Sequence, residues 1–334
     1  MANAQSTLTK TVRYGIESVR GTGVACTAIM DIADADWDVV PPLWRSGNLT
    51  GGVFQSGVVG AGVLVPRLRV KLGSINWDKW QRFLACGVDG GITAAGAGAD
   101  KVWGSGAIKP PQLSTGGAVV EALKSLTLEY GYANPAAAQP AHKMVGAVVE
   151  RIKVDWNGTG PVTAEIDFVA TATPTDITAY SGTLSVDTMS AAVPDFSMLK
   201  VYVDDTTIGT TQDTTVVSAS LEWKSFMAVD ENAKRLAIGK YSEWTASFRR
   251  FAEAADMLAA SRTKAEKKVR IASIGPVLGS TTWELAADLY ATVESRPLGE
   301  LSGFLSEEVT LAPRRDATAT TDIAFRLTNS VAVV

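Results

Sequence analysis

Polar and apolar residues alternate with a period of two along most of the chain, the signature of strands with one face turned inward. Leu68, Val70 and Leu72 alternate with Arg67, Arg69 and Lys71, so three cations share one face and three aliphatic side chains the other. Leu126, Leu128 and Tyr130 alternate with Thr127 and Glu129, and Val217-Ala219-Leu221-Trp223, Trp244-Ala246-Phe248 and Ile323-Phe325-Leu327 repeat the pattern. Val148, Ile152, Val154 and Trp156 precede Asn157-Gly158-Thr159-Gly160, and Ile166, Phe168, Ala170 and Ala172 follow it, which predicts a hairpin. At least eight such runs, separated by Gly-, Pro- and Thr-rich connections, predict a mainly β protein of antiparallel sandwiches or barrels rather than βαβ units.

Helices are few. Asn76 is placed to cap a helix over Trp77 to Cys86, with Trp77, Trp80 and Leu84 on one stripe and Gly87 at its stop. Ala252 to Ser261 predicts a second, with Met257 and Leu258 inward. Each follows an alternating strand, which suggests a repeat. The run Val149–Val154, a turn, then Thr163–Phe168 resembles Ser306–Leu311, a turn, then Thr321–Phe325. The expected organisation is two tandem antiparallel β-sandwich or barrel domains, residues 1–180 and 181–334, each with one short flanking helix. The Ser/Thr/Ala-rich stretch Thr173 to Val193 is the expected linker.

Composition narrows the chemistry. Hydrophobic residues make up 46% and charged residues 20% of 334, which is the balance of a folded chain. A net charge of −4 excludes a general positive field for collecting nucleic acid. Cys26 and Cys86 are the only cysteines, too few for a disulfide framework or a zinc site, and read as packed thiols. The start, Met1 to Lys10, lacks the apolar stretch of a secretion signal. Ser46 to Pro66 is uncharged, but its glycines and amides suit a long loop or extended hairpin and not a membrane span.

Sequence patterns of catalysis are absent. There is no Gly-x-Ser-x-Gly elbow, phosphate-binding Gly-x-x-x-x-Gly-Lys loop or dinucleotide fingerprint. Ser197/Lys200 and Ser261/Lys264 have Ser-x-x-Lys spacing without the companion elements that chemistry needs. The single histidine, His142, is expected in a solvated loop. Asp34, Asp36 and Asp38 have calcium-loop spacing, but Val39 and Arg45 stand where glycine and glutamate are required, so a solvated acidic loop is expected. The basic pairs and runs at Arg249-Arg250 and Lys264 to Arg270 read as charge at a helix end and a hairpin turn. No cofactor and no metal is expected.

The nine tryptophans are more telling. Trp37, Trp44 and Trp103 fall in long Gly/Pro-rich connections, and the one from Trp37 to Val65 runs about thirty residues, a length usually tied to function. Its apolar residues, among them Trp44, Leu49, Phe54, Val58 and Val59, mark a contact surface for a partner or a flap folded over the chain's own core.

Tyr14-Gly15-Ile16-Glu17-Ser18-Val19-Arg20-Gly21-Thr22-Gly23-Val24 resembles the x-Gly-x-Glu-x-x-x-Gly-Thr opening of the tail tube (major tail) proteins of long flexible-tailed bacteriophages. The order that follows is similar over essentially the whole chain: a Gly-rich loop, a strand and a Trp-containing helix at Trp77 to Leu84. Then come Ser125-Leu126-Thr127-Leu128-Glu129-Tyr130, a hairpin around Gly158, a restart from Pro194 to Val203 and a closing strand at Ile323 to Asn329.

The resemblance implies a structural virion protein and not an enzyme, a homo-oligomer assembled in the host cytoplasm and located in the tail. Its rings stack into a tube through which DNA passes, with an inner sheet continuous between neighbours. Two tube folds in one chain imply trimeric rings with pseudo-sixfold symmetry, hexameric rings being the alternative. Trp37, Trp44, Leu49, Phe54, Val58 and Val59 become candidates for contact with the next ring, in the Trp37–Val65 connection and its counterpart Lys224 to Tyr241. The implied partners are other copies of the chain, tail terminator, tape measure and tail tip proteins, and DNA in transit; no membrane anchor is implied. The rival readings are a β-sandwich carbohydrate-binding or adhesion module, which predicts exposed aromatics and a monomer, and a β-rich hydrolase with dispersed carboxylates.

Overall fold

The computed structural model describes residues 10–37, 43–45, 59–61, 65–96, 98–110, 123–136, 140–157, 160–170, 174–184, 194–230, 235–252 and 256–332. The protein is mainly β. Its first half contains β1 (Lys10–Glu17), β2 (Ala28–Ile29), β3 (Ile32–Trp37), β4 (Leu43–Arg45), β5 (Val59–Ala61) and β6 (Arg67–Leu72). A 3-10 turn, Trp77–Lys79, leads into α1 (Trp80–Gly87), followed by β7 (Ala94–Ala95), β8 (Lys101–Ile108), β9 (Ser125–Tyr132), β10 (Ala141–Trp156), β11 (Thr163–Val169) and β12 (Thr175–Ile177). The second half contains β13 (Leu199–Asp204), β14 (Gln212–Asp213), β15 (Val216–Asp230), β16 (Arg235–Phe251) and α2 (Asp256–Thr263). It ends with β17 (Glu266–Leu278), β18 (Thr281–Ser295), β19 (Leu298–Leu301), β20 (Phe304–Pro313) and β21 (Ile323–Asn329).

The two halves share one plan of antiparallel pairing. In the first, β3 pairs with β6, β6 with β11, β11 with β10, β10 with β9 and β9 with β1. In the second, β15 pairs with β16, β16 with β20, β20 with β18, β18 with β17 and β17 with β13. The short pairs β1–β2 and β13–β14 correspond, as do β10–β12 and β18–β21. Following the registers through, Val12 matches Val201, Ala35 matches Ala219, Val70 matches Phe248, Val149 matches Val293 and Phe168 matches Leu311. An irregularity recurs at the matched place: Glu150 is the extra residue between Val149 and Arg151, and Glu294 between Val293 and Ser295. A bulge re-aims its strand, and both β10 and β18 turn here from one set of neighbours to another.

This plan corrects the hairpin match expected from sequence. Ser306–Leu311 lies in β20 and corresponds to β11, not to the strand at Val149; β20 and β21 each pair with β18. Any two alternating hairpins look alike in sequence, whereas register is fixed by which strands lie alongside.

The halves are joined in the core. β10 pairs with β15 from Arg151↔Lys224 to Trp156↔Ala219, and β8 pairs with β21. Trp77 stacks on Trp283 with ring centroids 5.6 Å apart, and Gly275 makes room, since a Cβ there would meet Trp77 at 2.6 Å. Trp80 and Leu84 of α1 meet Ile152, Val154, Leu221 and Phe325 around one small internal void. As predicted, Asn76 caps this helical segment, its Oδ1 accepting from the Asp78 amide at 2.9 Å. α2 (Asp256–Thr263) overlaps the expected Ala252–Ser261 helix and buries Met257 and Ala260, while Leu258 is half-buried.

The opening motif has a structural explanation. Glu17 ends β1 almost fully buried, at 2% exposure. Its carboxylate accepts from Ser125 Oγ at 2.6 Å, Thr127 Oγ1 at 2.8 Å and the amides of Gly21 and Gly146 at 2.8 and 2.9 Å. Gly21 turns back to reach it with φ of +77°, a conformation suited to glycine. Gly15 leaves space for the returning chain, because a Cβ would lie 2.5 Å from the Ala25 carbonyl oxygen.

Several expectations are overturned. His142 is not in a loop but in β10, its Nδ1 2.9 Å from Asp176 Oδ1 of β12. Trp103 is not in a connection but in β8, with Nε1 donating to Asn329 Oδ1 at 2.7 Å. Asp34 and Asp36 are strand residues of β3 facing Lys10 at 2.7 and 3.8 Å. The expected connection Lys224 to Tyr241 lies largely within the long hairpin β15–β16. The expected linker contains β12, and Tyr180 donates to the Tyr132 carbonyl at 2.7 Å. Thr127 and Glu129 are buried like their apolar neighbours, because β9 is covered on both faces. Arg250, expected as charge at a helix end or hairpin turn, lies in β16 and is buried between Asp213 and Glu307, both at 2.7 Å.

Candidate functional site

The alternation seen in sequence builds one extended surface. Strands β3, β6, β11, β10, β15, β16 and β20 lie side by side, and their registers align the polar residues in rows. One row runs Asp36, Arg69, Asp167, Arg151, Lys224, Glu243; the next runs Lys71, Glu165, Lys153, Glu222, Thr245. Adjacent strands therefore present opposite charges at most positions, the stabilising arrangement for cross-strand neighbours.

The charges are paired. Arg69 Nε lies 2.9 Å from Asp167 and 3.1 Å from Glu165. Arg151 is the hub, with Nη1 2.7 Å from Glu165 and Nε 2.7 Å from Glu222, so it ties β10 of the first half to β15 of the second. The Glu222 carboxyl is held below its usual range by the Arg151 hydrogen bond. Ser220 donates to Asp155 across the same junction at 2.7 Å. An open hollow of about 260 Å³ lies on this face between Asp36, Trp37, Arg69 and Asp167.

The opposite face of the same strands is apolar and buried: Ala35, Val70, Ile166, Ile152, Trp223 and Trp244 form the row behind the charges. The tryptophans serve this core. Trp77, Trp80, Trp103, Trp156, Trp223, Trp244 and Trp283 are buried, so none of these seven offers a stacking platform to a sugar ring.

The six candidates for inter-ring contact are placed unequally. Trp37 ends β3, half-buried, its ring 5.5 Å from that of Tyr130 and 6.3 Å from that of Tyr132, with Lys10 Nζ above it at 5.4 Å. Trp44 and Val59 lie on the two strands of the β4–β5 pair, in the register Trp44↔Gly60 and Arg45↔Val59. Leu49, Phe54 and Val58 lie outside the described residues. Sequence reasoning missed the exposed apolar residues Leu298, Phe304 and Leu305 of the β19–β20 hairpin; the run Phe304-Leu305 was a signal available for finding them.

No protein family model matches the chain, and no curated protein is similar to it. Chemistry must be read from the residues themselves. Among the described residues no cluster of His, Cys, Asp and Glu has the arrangement of a metal site, and no helix is long and apolar enough to cross a membrane. Cys26 and Cys86 are buried free thiols; burial pushes the Cys26 thiol up to about 12 and raises that of Cys86 as well.

Proposed function

We propose that the protein is a structural subunit that assembles with copies of itself into stacked rings, the tail tube of a long flexible-tailed phage. The observation that carries this reading is the charged sheet running without interruption from the first half into the second through β10 and β15. A sheet that already crosses from one repeat to the next is the unit from which a ring wall is built, and closing such a sheet removes the edges that otherwise invite aggregation. The repeated pairing plan supports two tube-type domains, residues 1–180 and 181–334, and hence trimeric rings with pseudo-sixfold symmetry ahead of hexameric rings.

In this reading the charged face lines the bore. Each lysine or arginine that contacts a phosphate releases counterions and adds affinity; Arg69 and Arg151 are instead held by carboxylates, which leaves a bore that lets DNA slide. The β4–β5 pair and the far end of the β15–β16 hairpin occupy matching places in the two halves and reach toward the next ring. The tail terminator, tape measure and tail tip proteins are the partners at the tube's ends and interior.

The test is negative-stain electron microscopy of the purified chain at rising concentration. Rings or tubes with three- or sixfold end views are expected. A compact monomer at every concentration overturns the reading and turns attention to glycan binding.

A further inference from the structure

The repeated plan leaves two strand edges whose counterparts are joined inside the chain. β15 pairs with β16 on one side and with β10 on the other, whereas its counterpart β3 pairs, among the described residues, with β6 alone. The Arg151–Trp156 part of β10 pairs with β11 and with β15. Its counterpart is Ser295 through β19: Val154 faces Ala164 as Leu298 faces Glu307, three residues further along equivalent strands from the matched bulges. Among the described residues β19 pairs with β20 alone.

Burial tells the same story. Val154 and Val162 are covered, at 4% and 0% exposure, where the second half abuts the first; Val162 also donates its amide to the Pro194 carbonyl at 2.9 Å. Their counterparts Leu298 and Leu305 are 59% and 58% exposed. The second-half hairpin thus carries the apolar residues of a junction without, among the described residues, a strand that covers them. The missing cover has the chemistry of β15, and the strand of this chain that matches β15 is β3.

We infer that β19 of one copy pairs antiparallel with β3 of a second copy, in the register Leu298↔Trp37, Gly299↔Asp36 and Glu300↔Ala35. The register is the internal one carried over: Val154↔Leu221, Asp155↔Ser220 and Trp156↔Ala219. The contact is head-to-tail, so repeating it does not stop at a dimer and closes into a ring when its rotation divides the full turn. It rests on the self-assembly reading and names the surface that reading needs.

The β3 edge is guarded in the single chain. The Ala35 amide donates to Asp34 Oδ1 at 2.8 Å and its carbonyl accepts from Lys10 Nζ at 2.5 Å, so both groups point away from β6 and are capped by side chains. Charged side chains on an edge are a common protection against premature pairing. Glu300 of the incoming copy replaces these caps with backbone hydrogen bonds, which makes Asp36 and Gly299 the closely spaced neighbouring pair.

The experiment is disulfide trapping in the full chain. Asp36→Cys and Gly299→Cys are made singly and together; Asp36 is exposed, and a Cβ on Gly299 meets nothing nearer than Ser306 Oγ at 3.8 Å. Mixing the two single variants and oxidising should give a covalent dimer and nothing longer. The double variant should give a ladder ending at the copy number of the ring, and Asp36→Cys with Leu301→Cys, displaced by two residues, should give neither. Rings in the microscope without cross-links overturn the inference and leave self-assembly standing; equal cross-linking of the displaced pair overturns the register. Absence of rings and cross-links from every chain, the unmodified one included, overturns both. As an independent check, Leu298→Glu should raise the concentration for half-assembly by about tenfold or more with circular dichroism of the monomer unchanged. Unaltered assembly of that variant counts against the interface.

Discussion

Replacing Glu17 tests whether the opening motif is a folding device. The buried carboxylate accepts four hydrogen bonds, two at each oxygen: Gly21 N and Ser125 Oγ at Oε2, Thr127 Oγ1 and Gly146 N at Oε1. In Glu17→Gln the side chain keeps its shape but one oxygen becomes an amide NH2. Ser125 or Thr127 can rotate its hydroxyl and accept, but a backbone N–H cannot. Whichever way the amide turns, the Gly21 or the Gly146 N–H faces another donor, leaving a buried amide without its acceptor. One unsatisfied buried polar group costs about 1–3 kcal/mol, so a loss of about 2 kcal/mol is expected. Glu17→Ala strands both amides and opens a cavity, and should cost about 3–5 kcal/mol. Urea unfolding followed by tryptophan fluorescence measures both, because the buried tryptophans report on the core. A Glu17→Gln chain within about 0.5 kcal/mol of the parent would refute the argument, since it would mean that the carboxylate's second oxygen is not needed.

Three further outcomes are expected. Cys26 and Cys86 should resist a thiol reagent at pH 8 and react once the chain is unfolded, because burial raises both thiols and the thiolate is the reactive form; rapid labelling of the native chain counts against their burial. Glu222 has its carboxyl lowered by Arg151, so its contribution is present above the ordinary value of 4.5 and lost as pH falls from there through the lower folded value. Glu222→Gln should therefore flatten the acid limb of the stability profile, and an unchanged limb places the acid-sensitive groups elsewhere. Lys10→Ala uncaps the Ala35 carbonyl and should lower the concentration at which rings form by light scattering; a higher concentration would mean that Lys10 belongs to the interface itself.

The period-two pattern was enough to predict a mainly β chain: β6 (Arg67–Leu72), β9 (Ser125–Tyr132) and β21 (Ile323–Asn329) appear where it places them, and the Val217–Trp223 run lies in β15 (Val216–Asp230). Asn76 marked the start of the first helix because capping is a local backbone matter; Gly87 is instead the last residue of α1 and is required by packing, since a Cβ there would lie 2.8 Å from Val149 Cβ. What the pattern could not show was which strands become neighbours. Trp103 and His142 sit among Gly, Pro and Ala, where local signals favour loops, yet each lies in a strand held by a distant partner, Asn329 and Asp176 respectively. Glu129 alternates as a solvent-facing residue does, and is buried because a further layer covers β9, with Ser181 and Lys143 supplying its partners.

The repeat shows the same division. Sequence suggested that two halves existed, from a strand followed by a helix in each, but misaligned their final hairpins. Alternation repeats every two residues and so fits many alignments equally well. The registers, with one glutamate bulge at the matched place in each half, select one alignment. Composition and local pattern thus determined strand, helix and which face of a strand is apolar, since those depend on neighbours in sequence. Tertiary structure decided pairing, the burial of charged residues and the two edges left unpaired among the described residues, since those depend on hydrogen bonds between segments that sequence leaves far apart.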